Sequence, residues 1–496
     1  MAERLKNFIN GRWVESKSGR TFKSLNPAHI DEVVAVAPDS NAADVDEAVK
    51  AARTAFPAWS RIPAPRRGEM LFRVAELLVQ HKVELGKLVT REMGKVLPEG
   101  LGDVQEAIDM AYYMAGEGRR LSGETVPSEL PNKDAKSVRV PIGVFGCITP
   151  WNFPTAIPAW KLFPALIAGN TVVLKPAEES PACAARMVEI MEEAGLPPGT
   201  VNLVHGLGKT GEALVKHPDV DGISFTGSMA VGRRVEALAA AGHKTFSTET
   251  GGKNVIIVMA DANLDLAIEG AIWGGFGTSG QRCTAASRII VQEPVYDWFV
   301  ARFTKAADGL QLGDGLKPAT QMGPVVSEAQ YKKVLSYIKI GQKEGATLLH
   351  GGRPCATGDC KRGWFIEPTI FTDVTPAMRI AREEIFGPVV CIFKIRRFDE
   401  ALKLANDTVY GLSASIYTQD VNASAIAERE LDSGLVYINA STIGAEIQLP
   451  FGGTKGTGSG PREAGGRGGA LDLYTKWKVI YRDFSGRLQR AQIDKE

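Results

Sequence analysis

The chain has 496 residues, of which 44% are hydrophobic and 23% charged, with a formal net charge of +1. That length exceeds one small core and predicts two or three domains, and the balanced charge argues against nucleic acid or another polyanion as partner. Six cysteines occur without a CxxC pair, which excludes a zinc framework or a thioredoxin-like motif; Cys355 and Cys360, in the polar stretch RPCATGDCKRG, read as a plain surface loop, and no metal is expected.

The start, MAERLKNFINGRWVES, carries no long apolar leader, and no run of about 18 apolar residues occurs, so a cytoplasmic chain without membrane contact is expected. The first third reads as helices: Val45, Ala48, Val49, Ala52 and Phe56 fall at helical spacing, as do Leu71, Val74 and Leu78. From Val144 to Val258, short β-rich runs (VFGCI, TVVLK, VNLVH, GISF, NVIIV) alternate with helical stretches, which predicts a parallel sheet covered on both faces. One of those helices is punctuated by Ser180 as N-cap, Pro181 in the first turn and Gly195 past the end. A second α/β set spans about 264–440, with helical runs near 264–280, 294–308 and 327–344 and strand-like runs SRIIV, PVVCIFKI and SASIYT. Gly452 to Gly469 is crowded with glycine and reads as an ordered irregular loop or a linker. The tail from Leu471 alternates (LYTKWKVIYRDF), which predicts a late strand of the kind that often pairs with another subunit's sheet edge.

Several residues have chemistry to offer. Cys283, in FGTSGQRCTAASR, follows a Gly-rich turn, and Arg282 beside it is expected to favour the reactive thiolate; the competing reading is a half-buried structural cysteine. Glu249, in STETGGKN, ends a β-like run and suits a general base for water, against the alternative of an exposed loop glutamate. Asn152, in TPWNFP, either donates to a developing oxyanion or satisfies backbone groups in a proline-bound turn. GLGKTG is a literal GxGxxG at Gly206, Gly208 and Gly211, a weak signal alone. LKPAEES ends a strand with Lys175 and Glu178, which could grip ribose hydroxyls, and ISFTGS ends one with Gly227 and Ser228 opening a helix, a natural phosphate seat.

The strings PWNFP, KPAE, FTGS, ETGGKN, GQRCT, EEIFGP and PFGG, in that order, resemble the aldehyde dehydrogenase superfamily over nearly the whole chain. The resemblance implies an α/β fold: a Rossmann-like cofactor domain (1–122 and 142–252), an α/β catalytic domain (253–468) and a small β oligomerisation flap with tail (123–141 and 469–496). It implies Cys283 as nucleophile, Glu249 as base, Asn152 as oxyanion donor and Lys161 near the catalytic centre. For the cofactor it implies Lys175 and Glu178 at the adenine ribose, Gly227 and Ser228 at the pyrophosphate, Glu384 and Phe386 at the nicotinamide ribose, with Trp151 and Gly208 beside them. Glu463, in GPREAG, resembles a glutamate that helps move protons. Phe153, Trp160, Arg282 and Phe451 are expected around the substrate, as is Phe276.

The implied reaction is NAD-dependent oxidation of an aldehyde to an acid through a Cys283 thioester, with NADP as an alternative cofactor and a homodimer or homotetramer as the assembly. Three rivals stand beside it: a CoA-acylating dehydrogenase, which Glu249 argues against; a cofactor-free thiol hydrolase, which lacks a histidine partner; and a non-catalytic binding protein on the same fold. Thr250 departs from the family's usual ELGGK, changing the packing beside the base. GAEIQLPFGG resembles the substrate-anchoring loop of the α-aminoadipic semialdehyde branch, and with Arg282 it suggests a carboxylate-bearing semialdehyde; Arg282 equally well orders its own turn.

Overall fold

The computed structural model describes residues 2–494. Two large sheets dominate it. Five parallel strands form the centre of the first: Thr245–Glu249, Gly222–Thr226, Val144–Ile148, Thr171–Lys175 and Val201–Leu203, in that spatial order. Antiparallel strands extend both edges, Gly458–Ser459 beside Thr245–Glu249 and the hairpin Asn7–Ile9/Arg12–Val14 beside Val201–Leu203. The central strands Val144–Ile148 and Thr171–Lys175 are near-continuous hydrophobic runs because both faces are buried, whereas the outer Thr245–Glu249 carries Thr, Ser and Glu. Phe145 and Cys147 enter one core with Leu174, while Val144 and Ile148 enter the opposite one with Val173.

The second sheet has the order Thr347–His350, Thr369–Thr372, Val389–Ile395, Ala286–Gln292, Asn254–Val258, Ser413–Tyr417 and Leu435–Ile438, parallel except for the first pair. It alternates in the same way: Val255 and Ile257 pack on one side, Ile256 and Val258 on the other. The two sheets are joined in series. The strand ending at Glu249 passes through Thr250–Lys253 into the strand beginning at Asn254. The carboxyl edge of the first sheet therefore meets the amino edge of the second, and the cleft between them collects the residues that follow one set of strands and precede the other.

A third, antiparallel sheet pairs Thr475–Asp483 with Lys133–Pro141, and the latter with Glu124–Pro127. The tail strand thus completes a sheet of its own chain. Residues 495 and 496, the last two of the tail, lie outside the described residues. The glycine-crowded stretch is an ordered loop that returns from the second sheet to cover the edge of the first.

Two readings of the sequence need correcting. The first third does contain four helices, Ala42–Arg61, Ala64–Gln80, Lys82–Met93 and Leu97–Glu117, but five strands precede them between Glu3 and Pro38. Their apolar runs are too short to outweigh polar neighbours, and pairing with distant strands decides them. Ser180 does precede the helix Pro181–Glu193, yet its hydroxyl is buried without a partner among the described residues. The carboxylate of Glu92 caps that helix instead, accepting from the Ala182 and Cys183 N–H groups at 3.0 and 2.8 Å. A charged group from another helix has displaced the local cap.

Candidate active site

Cys283 is held by an unusual turn. The helix Leu264–Phe276 ends in a short turn in which Thr278, Ser279 and Gly280 have φ values of 53°, 56° and 68°. Three successive left-handed residues, one of them β-branched, persist only where the surroundings hold them. Glu99 accepts from the Thr278 N–H at 2.9 Å, and Ser279 Oγ donates to the Gly323 carbonyl at 2.7 Å. A Cβ on Gly280 would lie 2.2 Å from the Gly387 carbonyl oxygen, so only glycine fits there. Asn254 Nδ2 then anchors the Cys283 carbonyl at 2.7 Å.

Burial, and next the carboxylates of Glu384, Glu249 and Glu463, push the Cys283 thiol up to about 12; the Thr284 N–H works in the opposite direction. Arg282 does not favour the thiolate as expected from its adjacency in sequence. Its guanidinium turns away to Glu99 (3.1 Å) and Thr278 Oγ1 (2.8 Å), and lies 4.7 Å from the Trp273 ring centre. Adjacent side chains on an irregular turn diverge, and the buried Glu99 carboxylate captures the cation.

Cys283 is a wall of two cavities. The first, of about 650 Å³, brings together Trp151, Asn152, Gly227, Ser228, Glu384 and Phe386 from the residues singled out above. Asn152 is buried, and its amide has no protein hydrogen-bond partner among the described residues. Ser228 precedes the helix Met229–Ala241 without a side-chain cap bond, leaving that helix N-terminus open. Glu384 accepts from the Gly252 N–H at 2.9 Å, and the Phe386 ring stands edge-on to Trp151 at 5.4 Å. Lys175, Glu178 and Gly208 lie outside this cavity, at neighbouring strand ends. Lys175 Nζ is 3.4 Å from Glu178, and Gly208 opens the helix Gly208–Lys216 onto free space.

The second cavity, of about 700 Å³, is walled by Phe153, Trp160 and Phe451, with Arg282 at its side. Trp160 and Phe451 meet edge-to-face at 4.9 Å. Of the loop 444–453, Gly444 and Ala445 reach the cavity, while Gln448, Leu449 and Pro450 face outward. Phe276 is absent from the lining; it belongs to the second sheet's core, stacked on Phe303 at 5.7 Å.

Glu249 and Glu463 also line this second cavity. Glu249 ends its strand fully enclosed, accepting from the Gly453 N–H at 3.2 Å. Gly452 has φ 153° and a Cβ there would lie 2.2 Å from Glu249 Oε1, so glycine lets the backbone close over the carboxyl. Burial first, then the Glu463 charge, holds the Glu249 carboxyl well above the ordinary carboxylate range. Lys161 pairs with Glu463 and also donates to Ser224 Oγ at 3.0 Å, and Thr226 Oγ1 donates to Glu463 at 2.9 Å. Thr250 uses its hydroxyl to tie down the glycine loop, donating to the Thr457 carbonyl at 2.8 Å.

Sequence reasoning missed Glu99 and Glu106, which come from the helix Leu97–Glu117. The available signal was Glu99, Asp103 and Glu106 at helical spacing, an acidic stripe along one face of the helix. Among the described residues, no group of three or more His, Cys, Asp or Glu could hold a metal ion, and no helix is long and apolar enough to cross a membrane.

Sheets in series, with a cysteine between two cavities and an enclosed carboxyl at their junction, define the class of protein. The sequence profile of the aldehyde dehydrogenase family matches residues 13–480. The α-ketoglutaric semialdehyde dehydrogenase of Bacillus subtilis is 44% identical over 478 residues, covering 96% of this chain and 97% of that protein. A malonate-semialdehyde dehydrogenase of Geobacillus kaustophilus is 42% identical, covering 96% and 98%. Among solved structures, betaine aldehyde dehydrogenase from Staphylococcus aureus in complex with NAD+ superposes with a TM-score of 0.95 at 36% identity, covering 98% of this chain and 95% of that one. The chain belongs to the aldehyde dehydrogenase family, and the reaction it carries out is the oxidation of an aldehyde.

Proposed function

We propose that the chain oxidises a short aldehyde bearing a distal carboxylate, a semialdehyde, to the diacid, with NAD as electron acceptor and a thioester on Cys283 as intermediate. The observation that carries this reading is the position of Cys283 as the common wall of two cavities. The aldehyde enters past Phe153, Trp160 and Phe451, and the cofactor occupies the side of Trp151, Glu384 and Phe386. The cofactor fits the residues present: an open helix N-terminus at Ser228 suits a pyrophosphate, and Glu178, two strands along the same sheet edge, suits ribose hydroxyls. When bound, NAD supplies the two-electron acceptor and a positive ring that offsets the carboxylates around Cys283.

The chain's own residues do the rest. Cys283, its proton released to solvent, adds as the thiolate to the aldehyde carbon, and the oxygen becomes an oxyanion; the thioester forms as that carbon gives up its hydrogen with two electrons. The free amide of Asn152 and the Cys283 N–H, which also has no partner among the described residues, are the donors for that charge. Glu249 later takes a proton from the water that attacks the thioester. It must first be ionised, and its burial beside Glu463 makes that step pH-dependent. The Lys161–Glu463 pair borders the same carboxyl and is the neighbour through which its proton moves.

Three observations favour a carboxylate on the substrate. Arg282 lines the cavity, and its Nη1 makes no protein hydrogen bond among the described residues. The Gly444 and Ala445 N–H groups at the cavity rim are also unpartnered among those residues. The two relatives quoted above carry semialdehydes in their names. A charge-assisted contact of this kind is worth about 1.5–3 kcal/mol. The outward face of the flap exposes Trp477 and Tyr481, and we assign it to contact with a second copy of the chain. NAD is preferred because the Glu178 carboxylate opposes a 2′-phosphate, with Lys175 already paired to it.

The test is a panel of aldehydes read by absorbance of reduced cofactor, with NAD and NADP in parallel. Succinic semialdehyde is expected to show a higher kcat/KM than butanal, and NAD a higher one than NADP. Equal or reversed ratios for the aldehydes end the semialdehyde reading.

A further inference from the structure

The substrate-side cavity contains a carboxyl that the reaction described above does not use. Glu106 lines the wall near Arg282 and has no hydrogen-bond partner among the described residues. The helix that carries it also presents Glu99 and Asp103 on the same face, and the charges around it are otherwise matched. Lys95 and Asp103 form a fully buried pair at 3.1 Å, with Lys95 Nζ also 3.8 Å from the Phe153 ring centre. Asp103 in addition accepts from the Ala156 N–H at 2.7 Å, capping the helix that holds Trp160 and Lys161. Arg282 is paired with Glu99 at 3.1 Å. Two cations thus face two buried carboxylates, with the exposed Asp109 a further carboxylate one turn along the same helix, and an ionised Glu106 would add a negative charge without a counter-ion.

We propose that the Glu106 carboxyl and the Arg282 guanidinium together seat the substrate's distal carboxylate, Arg282 through its free Nη1 and Glu106 by donating its O–H. This rests on the semialdehyde reading above and assigns its specificity to a residue pair. A neutral acid completes a balanced cluster that has room for one further anion, the substrate's. Burial is the main reason the proton stays: it pushes the Glu106 carboxyl up to about 8, with Asp103 and Asp109 adding to it and Lys95 and Arg282 opposing. The other groups around the cavity are Glu249, Glu463 and Cys283 on its far wall, and Glu446 on the loop outside it. None supplies a cation to Glu106. As pH rises through the value for Glu106, the donor becomes a carboxylate that repels the substrate's own.

The experiment measures kcat/KM for succinic semialdehyde and for butanal across pH 6.5–9.5, in wild type, Glu106→Gln and Glu106→Ala. The ratio of the two substrates removes the pH dependence that Cys283 and Glu249 impose on both. In wild type the ratio is expected to fall about tenfold across this range, centred near the Glu106 value. In Glu106→Gln, which keeps a donor and cannot ionise, the ratio is expected to be flat and close to the wild-type value at low pH. In Glu106→Ala it is expected to be flat and about tenfold lower. Competitive inhibition by glutarate gives a second readout that needs no turnover, and is expected to weaken with pH in wild type only. A wild-type ratio above one that is flat with pH, or that Glu106→Gln leaves pH-dependent, overturns the role of Glu106 alone. A wild-type ratio at or below one at pH 6.5 overturns both this role and the semialdehyde reading. So does a preference for a trimethylammonium aldehyde that is lost in Glu106→Gln, since Glu106 would then act as a counter-ion.

Discussion

The two cavities that meet at Cys283 are built by different means. The cofactor-side cavity is assembled from turns that immediately follow or precede strands: Trp151 and Asn152 after Val144–Ile148, Gly227 and Ser228 after Gly222–Thr226, Glu384 and Phe386 before Val389–Ile395. The substrate-side cavity gathers side chains from the middle of two helices, Glu106 and Trp160, and from the loop 443–451. The first is fixed by backbone geometry at a sheet edge. The second is fixed largely by packing between elements far apart in the chain, and only part of its wall, at Thr226, Glu249 and Thr250, comes from strand ends. Cofactor seating and substrate choice are thereby placed on two sides of one sulfur atom, with Glu249 and Glu463 on the substrate side.

That separation can be broken at its shared wall. Cys283→Ala is expected to abolish oxidation, a loss of roughly 10³ or more, while NAD binding followed by fluorescence remains. Oxidation within tenfold of wild type would remove Cys283 from the mechanism. Asn152→Ala, on the cofactor side, is expected to slow the first burst of reduced cofactor by about 10²–10³ for charged and uncharged aldehydes alike. A selective effect on semialdehydes would move Asn152 to the substrate side.

Glu249→Gln sharpens the comparison in time. A stopped-flow trace is expected to keep its burst and lose its steady state, by roughly 10² or more, because only hydrolysis needs this carboxyl. In wild type the deacylation-limited kcat is expected to rise with pH. A carboxyl raised by burial is a neutral acid below its own value and becomes a base only above it. Loss of the burst in the variant would place Glu249 at thiol activation.

Smaller effects belong to the substrate side. Arg282→Lys is expected to lower kcat/KM for succinic semialdehyde by about 10–100-fold and leave butanal within about threefold. Equal loss for both would make Arg282 only the brace of its turn through Glu99 and Thr278. Smallest of all, Thr250→Val removes the hydroxyl that ties down the glycine loop over Glu249, with an expected cost of about 0.5–1.5 kcal/mol in denaturant unfolding. An unchanged midpoint would show that the backbone bond between Thr250 and Thr457 suffices.

The same difference explains what was legible in the sequence. Strand-end turns carry short local signatures, so Asn152, Ser228, Glu249 and Glu384 could be singled out from TPWNFP, FTGS, ETGGK and EEIFGP. Most of the parallel strands were legible because sheets buried on both faces favour near-continuous apolar runs, while the short Thr369–Thr372 and Leu435–Ile438 were not singled out. The five early strands were not, since their pairing partners lie elsewhere. Arg282 was misread because sequence adjacency says nothing about side-chain direction on a left-handed turn. Glu106 carried a signal only in company with Glu99 and Asp103, and deciding that this stripe faces a cavity needs the packed helix.

Two of this molecule's sheets are completed late in the chain. Thr475–Asp483 pairs with Lys133–Pro141, Tyr474 packs on Phe145 at 4.6 Å, and Gly458–Ser459 covers the edge strand that carries Glu249. On the ribosome, the nascent chain therefore emerges with its first sheet open along that edge until residue 459 appears, and with Lys133–Pro141 paired on one side only until residue 483. Open edges of this kind are templates for association between chains. A message cut short by a few dozen codons would release a polypeptide with nearly all the reacting residues present and two sticky borders, a client for chaperones rather than a weakened enzyme.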